Sequence, residues 1–302
     1  MNNHSLPKLL ITEQISLLTP TTPTKEEISN KLISVNYHLI KACNYRCRFC
    51  FAHFNQVKSN YLSLGESMKI IELLVEQGTK KITFVGGEPT LVPFLPELVI
   101  FSKSLGLTTM IVTNGSKLNE DYIKKFDGAL DWIGLSIDSS IEDISEELGR
   151  GMGKHVNQTR QNSKLLKKFG IKIKLNSVIT SLNWKEDMNW LIEEVNPLRW
   201  KVFKILIIEG ENDNAIDLTI TDDQFFQFLN IHKRNNPIAE DNDAMTDSYV
   251  MIDPQGRFYN NTLGRLNHGK SILEVGVQEA FNSTNFSLEK FKQRGGEYQW
   301  EE

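Results

Sequence analysis

From Ser34 onward, short runs rich in β-branched and aromatic residues alternate with longer amphipathic stretches, and this alternation constrains the fold more than any other feature. The strand-like runs fall at 34–41, 80–85, 108–113, 132–137, 171–179 and 199–207, and the helical stretches between them at 63–77, 95–105, 120–126, 156–169 and 184–194. Gly78, Gly106 and Gly170 each follow an apolar-periodic run, where a glycine closes a helix. Strands joined by helices must run parallel, and six such units are too few to close an eight-fold barrel. The expected fold is therefore α/β, a partial (β/α)6 TIM-like barrel. After Glu209 the rhythm changes to a helix at 221–234, a hairpin at 249–253 and 257–260 around Pro254-Gln255-Gly256, and a polar tail. This predicts a C-terminal α+β cap. The Pro/Thr-rich stretch at 19–25 marks a flexible lead-in, so the expected organisation is 1–30 lead-in, 31–210 barrel and 211–302 cap over the site.

All three cysteines of the 302-residue chain, Cys43, Cys47 and Cys50, lie within eight residues directly after the first strand. An odd, clustered set is a poor disulfide framework and a good metal site. Three thiolates on one loop can hold three irons of a cubane cluster and leave the fourth iron open to a ligand. A zinc site completed by His53, or three metal-free thiols, are the other readings of the same residues. Retained thiols imply a reducing compartment. Glu13 and Gln14 interrupt the early apolar run, which leaves no signal peptide or membrane span and predicts a cytoplasmic protein. A formal net charge of −4 gives no general attraction to nucleic acid, so an anionic ligand must be held by a local basic cluster.

Such a cluster is written in the fifth and sixth strands. Lys172, Lys174 and Asn176 alternate with Ile171, Ile173 and Leu175, and Arg199 shares a face with Lys201. If helices cover the apolar face, the polar face points into the barrel and suits a polyanion such as a triphosphate. An edge strand with solvated lysines is the bland reading of the same pattern. Gly86-Gly87-Glu88-Pro89 ends the second strand, where backbone can approach a ligand closely and a carboxylate can accept from an ammonium, although alone it also reads as a turn. Asn114-Gly115 alone reads as a turn, Arg150 as a loop charge, and Tyr249 as a strand aromatic.

The C-x3-C-x2-C loop resembles the signature of the radical S-adenosylmethionine (SAM) enzymes. Around it, Asn36-Tyr37-His38, Phe51, Gly86-Gly87-Glu88-Pro89, Thr113-Asn114-Gly115-Ser116, Ser136-Ile137-Asp138-Ser139 and Gly149-Arg150-Gly151 follow in the order seen in viperins. Lys174 to Ile179, Arg199 to Phe203, Glu209 to Asn212, Asp247-Ser248-Tyr249, Arg294-Gly295-Gly296 and Trp300 continue that order to the end of the chain. The sequence thus resembles a prokaryotic viperin-like enzyme. Animal viperins carry an additional N-terminal membrane-binding helix.

The resemblance implies a [4Fe-4S] cluster on Cys43, Cys47 and Cys50, and SAM contacts from Gly86, Gly87, Glu88, Asn114, Ser136 and Arg150. It also implies triphosphate contacts from Lys174, Asn176, Arg199 and Lys201, closure by Arg294, and Tyr249 beside the substrate ribose, where it would help to quench a radical. The implied reaction converts a ribonucleoside triphosphate to its 3′-deoxy-3′,4′-didehydro analogue, a chain terminator in antiviral defence, with electrons from a donor such as flavodoxin or ferredoxin. The chain departs from animal viperins at 52–58 and 260–265; if these loops read the base, CTP is favoured while UTP and GTP stay open. Peptide or cofactor maturation is the alternative radical SAM reaction, but such enzymes often bring further cysteine clusters. A zinc-stabilised nucleotide-binding module is the non-enzymatic alternative.

Overall fold

The computed structural model describes residues 31–300; the expected lead-in at 1–30 lies outside the described residues. Six parallel strands stand side by side in chain order: β1 (Ser34–His38), β2 (Lys81–Val85), β3 (Thr108–Thr113), β4 (Trp132–Ser136), β5 (Lys172–Ile179) and β6 (Arg199–Lys204). The crossovers run through α1 (Leu64–Glu76), α2 (Leu95–Ser104), α3 (Glu120–Lys124), α4 (Glu142–Glu147), α5 (His155–Lys168) and α6 (Asn189–Val195). A capping box opens α1, in which the Ser63 hydroxyl accepts from the Glu66 N–H and the Glu66 carboxylate accepts from the Ser63 N–H. The anticipated helix at 184–194 is shorter, because Trp184 and Lys185 end a turn and Glu186 to Met188 are irregular before α6 begins.

Period-two alternation sorts the strands into two faces. Val35, Ile82, Phe84, Ile111, Ile133, Leu135, Ile173, Leu175 and Val202 pack outward against Ile70, Leu74, Leu98, Leu166 and Leu191 of the helices. Each such side chain contributes about 1.5–3 kcal/mol by leaving water. The opposite set, including Ser34, Asn36, His38, Lys81, Thr83, Lys174, Asn176 and Lys201, lines a cavity of about 330 Å³ inside the curved sheet.

The sheet continues beyond residue 210. β7 (Ile238–Glu240) pairs parallel with β6, while β8 (Val250–Ile252) pairs parallel with β1 and antiparallel with β9 (Arg257–Asn260). The strand order is β10-β9-β8-β1-β2-β3-β4-β5-β6-β7. α7 (Asp222–Ile231) and the hairpin match the sequence expectation, but the polar tail does not. There the chain forms β10 (Asn267–Ser271), α9 (Ile272–Phe281) and α10 (Leu288–Gln293), the last of which packs on the short α8 (Asn242–Met245). β10 is a polar edge strand with no alternation to betray it, and Gly276 interrupts the apolar pattern of α9.

Candidate active site

At one end of the cavity the cysteine loop rests on two glycine-bearing segments. The Gly87 N–H donates to the Ile40 carbonyl, the Glu88 N–H to the Ala42 carbonyl at 2.9 Å, and the Arg46 N–H to the Gly149 carbonyl at 3.3 Å. A Cβ at Gly87 would collide with the Ala42 carbonyl, and one at Gly149 with the Arg46 carbonyl. Cys43, Cys47 and Cys50 all line the cavity. Burial raises all three thiols, Cys47 up to about 12, so a bound metal is what would make them thiolates. Among the described residues no three His, Cys, Asp or Glu side chains gather as one metal ion requires. His53, the ligand a zinc site would recruit, instead bonds the Glu211 carbonyl at 2.9 Å. Three thiols spread over one loop fit a multi-iron cluster, in which each cysteine meets a different iron.

Gly86, Gly87, Glu88, Asn114, Ser136 and Arg150 line the same end. Glu88 is buried, and its Oε1 accepts from the Thr90 N–H (3.1 Å) and from the hydroxyls of Thr90 and Thr113 (both 2.6 Å). Among the described residues its Oε2 accepts only from the Asn114 N–H, at 2.8 Å, so one carboxylate oxygen keeps acceptor capacity. Burial raises this carboxyl against those bonds. Asn114 donates to Asn44 at 2.9 Å and thereby ties β3 to the cysteine loop. The Arg150 Nε donates to Asp138 at 2.5 Å, which leaves the two terminal nitrogens of the guanidinium for a carboxylate ligand.

The other end of the cavity is basic. Lys81, Lys174, Lys201 and Arg294 line it with Asn176, Tyr249 and Tyr298. Lys201 (3% exposed) forms an ion pair with Glu240 (0% exposed) and donates to the Tyr249 hydroxyl at 3.1 Å. Tyr249 donates in turn to Glu240, and the Arg294 guanidinium stacks 3.5 Å above the Tyr249 ring and lies 3.5 Å from Glu240. Burial works to raise the Glu240 carboxyl, but Lys201, Arg294 and the donated hydrogen bonds outweigh it and hold it below the usual carboxylate range. Burial presses Lys201 the opposite way, toward neutrality. The attraction between the ammonium and the carboxylate, with Arg294 alongside, favours the ionised pair. Burial also pushes Lys174 down to about 7, with Arg199 and Arg294 adding to it and Glu240 opposing. The Asn176 Oδ1 is buried in this wall without a hydrogen-bond partner among the described residues.

Arg199 stands apart from the other basic residues. Its guanidinium donates to the Gly295 carbonyl and lies 4.1 Å from the Tyr298 ring centroid, behind the cavity wall rather than in it. The C-terminal segment thus joins Arg199 to the site through Tyr298, and it is anchored where the Trp132 Nε1 donates to the Trp300 carbonyl at 3.0 Å. Two important residues escape sequence reasoning. Lys81 could have been found by the alternation applied to β5, since it shares a face with Thr83 and Val85. Glu240 carries no signal, because its three-residue strand follows a proline and is too short for a pattern. Of the departing loops, Ala52 and Asn261 reach the cavity, while Asn55 donates to the Gly210 carbonyl at 2.8 Å.

The family model described as Radical SAM superfamily matches residues 37–195. The S-adenosylmethionine-dependent nucleotide dehydratase of Flammeovirga pacifica is 44% identical over 90% of this chain and 97% of its own length. The S-adenosylmethionine-dependent nucleotide dehydratase RSAD2 of Danio rerio is 39% identical over 88% of this chain and 78% of its own. In fold, Streptococcus suis SuiB bound to S-adenosylmethionine superposes with a TM-score of 0.64 at 15% identity, covering 88% of this chain and 68% of that one. The chain belongs to the radical SAM superfamily and, within it, to the viperin-like S-adenosylmethionine-dependent nucleotide dehydratases.

Proposed function

We propose that the protein dehydrates a ribonucleoside triphosphate, with CTP favoured over UTP and GTP, to its 3′-deoxy-3′,4′-didehydro analogue. The observation that carries this reading is one cavity with three cysteines at one end and Lys81, Lys174, Lys201 and Arg294 at the other. The cofactors are a [4Fe-4S] cluster and SAM, which together supply hydrogen-atom abstraction when bound. In this reading Cys43, Cys47 and Cys50 hold the cluster. The terminal nitrogens of Arg150 take the methionine carboxylate, Oε2 of Glu88 takes the ammonium, and Gly86, Gly87, Asn114 and Ser136 shape the wall around them.

Lys174, Lys201 and Arg294 bind the phosphates, with Arg199 and Asn176 in support, and Tyr249 stands beside the ribose with its hydroxyl held by Glu240 and Lys201. A tyrosine there is placed to quench a sugar radical. The net change removes the 4′ hydrogen and the 3′ hydroxyl, the hydroxyl leaving as water with one electron and one proton. A flavodoxin or ferredoxin would supply electrons in the cytoplasm, and the product, lacking a 3′ hydroxyl, would terminate viral polymerases. Among the described residues no helix is long and apolar enough to cross a membrane.

The direct test incubates anaerobically reconstituted protein with SAM, dithionite and each of the four nucleoside triphosphates. The expected result is 5′-deoxyadenosine release stimulated by one nucleotide, with a product lighter by one water. Deoxyadenosine release indifferent to every nucleotide, with no dehydrated product by mass, would overturn the reading.

Nucleotide binding should also report on Lys174, which faces Glu240 on β7, Arg199 and Lys201 on β6, Lys81 on β2 and Arg294 near the C-terminus. A polyanion needs the protonated amine, and in the free enzyme that form is lost as pH rises through about 7. Affinity measured by calorimetry should therefore be greatest below neutrality and fall above it, by up to about tenfold per pH unit for one proton. Lys174→Arg, which does not titrate in this range, should give a shallower profile. An unchanged slope in that variant would show that Lys174 is not the group taking up the proton.

A further inference from the structure

We propose that the cavity takes its nucleoside triphosphate as the metal-free tetra-anion, with the side chains at its basic end standing where other nucleotide enzymes place a divalent cation. The inference rests on the nucleotide reading above and concerns the form in which that substrate is bound. Lys81, Lys174, Lys201 and Arg294 line one end of the cavity, and Arg199 lies directly behind it. The only carboxylate beside them among the described residues is Glu240. When every one of these groups is ionised, five cations and one carboxylate leave four positive charges, equal and opposite to a fully ionised triphosphate.

The carboxylates present are either paired with the cations themselves or placed away from the basic end. Glu240 has no solvent exposure and meets Lys201, Tyr249 and Arg294. Among the described residues the carboxylates that line the cavity, Glu88 and Asp138, lie at the cysteine end. Glu88 is capped by Thr90, Thr113 and Asn114; Asp138 accepts from Arg150 and, at 2.9 Å, from the Val178 N–H. A magnesium ion demands several hard oxygen ligands in octahedral array, and nucleotide enzymes that use it hold it through a carboxylate as well as the phosphates. Placed among these ammonium and guanidinium groups it would meet repulsion, because like charges a few ångströms apart in a partly dry cavity are screened far less than in water.

The basic end also neutralises itself when empty. Burial lowers Lys81 well below its ordinary range, with Lys174, Arg199 and Arg294 adding to it. Burial lowers Lys174 likewise. Binding of the free tetra-anion would restore their protons, so this end accumulates positive charge as the phosphates arrive. A magnesium complex brings only half that negative charge and gains correspondingly less.

Calorimetric titration of cluster-reconstituted, SAM-loaded enzyme with CTP, UTP, GTP and ATP, each in EDTA and each in excess Mg²⁺, tests the proposal. Inorganic tripolyphosphate serves as a probe of the basic end alone. The expected result is that the preferred nucleotide and tripolyphosphate bind in EDTA, and that excess Mg²⁺ weakens both by at least about tenfold. Binding that requires Mg²⁺, or equal affinity in the two conditions, overturns the metal-free form while leaving the nucleotide reading intact. No binding of any nucleotide in either condition overturns both.

Discussion

Lys201→Met is expected to abolish nucleotide-stimulated turnover and to destabilise the folded protein by about 3 kcal/mol or more, read as the shift of the denaturation midpoint. The reason is the partner left behind. Glu240 is fully buried and held ionised by Lys201 and Arg294, so removing the lysine leaves a carboxylate with only the more distant Arg294 and the Tyr249 hydroxyl. A buried charge that loses its closest counter-ion costs far more than the pair contributed over two neutral groups. Adding Glu240→Gln to Lys201→Met removes both charges at once and should recover most of the lost stability. It should not recover nucleotide binding, because the phosphate end then lacks a cation. A single variant as stable as the parent would show that the pair is not ionised. A double variant that binds nucleotide normally would show that Lys201 does not face the phosphates.

Gly87→Ala and Gly149→Ala should each yield protein that retains its secondary structure but assembles little iron–sulfur cluster. In both, the new Cβ points at a backbone carbonyl of the cysteine loop, of Ala42 or Arg46, which cannot swing aside as a side chain would. At Gly149 the left-handed backbone, with φ at +78°, adds strain for any other residue. The loop must shift, and the three thiols lose the spacing that a rigid cluster demands. Iron and sulfide content with visible absorption reads the loss, and circular dichroism shows that the barrel persists. Gly65→Ala is the internal control: it lies in the first turn of α1 with nothing within 4 Å of a Cβ, and it should load fully. Full iron content in Gly87→Ala would refute the claim that these two segments set the cysteine loop.

Much of this architecture is readable before folding because it is periodic. Alternation in β5 places Ile173 and Leu175 under helices and Lys174 and Asn176 in the cavity, and no other arrangement buries the apolar set. The same rule extends to β2, where Lys81 faces inward between Ser34 of β1 and the C-terminal Tyr298. Cysteine spacing is equally local, since three thiols within eight residues reach a common site whatever the rest of the chain does.

The pairing of charges is different in kind. Glu240 comes beside Lys201 only because β7 adds to the edge of β6, and Tyr249 reaches both only because β8 pairs with β1 on the far side of the sheet. Arg199 is turned toward Tyr298 and Gly295 by the C-terminal segment, so its strand face alone misplaces it. The barrel, the cysteine loop and the polar strand faces each follow from residue spacing along a single element. Which buried charges neutralise one another is set instead by packing across the curved sheet, because Glu240, Lys201, Tyr249 and Arg294 come from four separate segments.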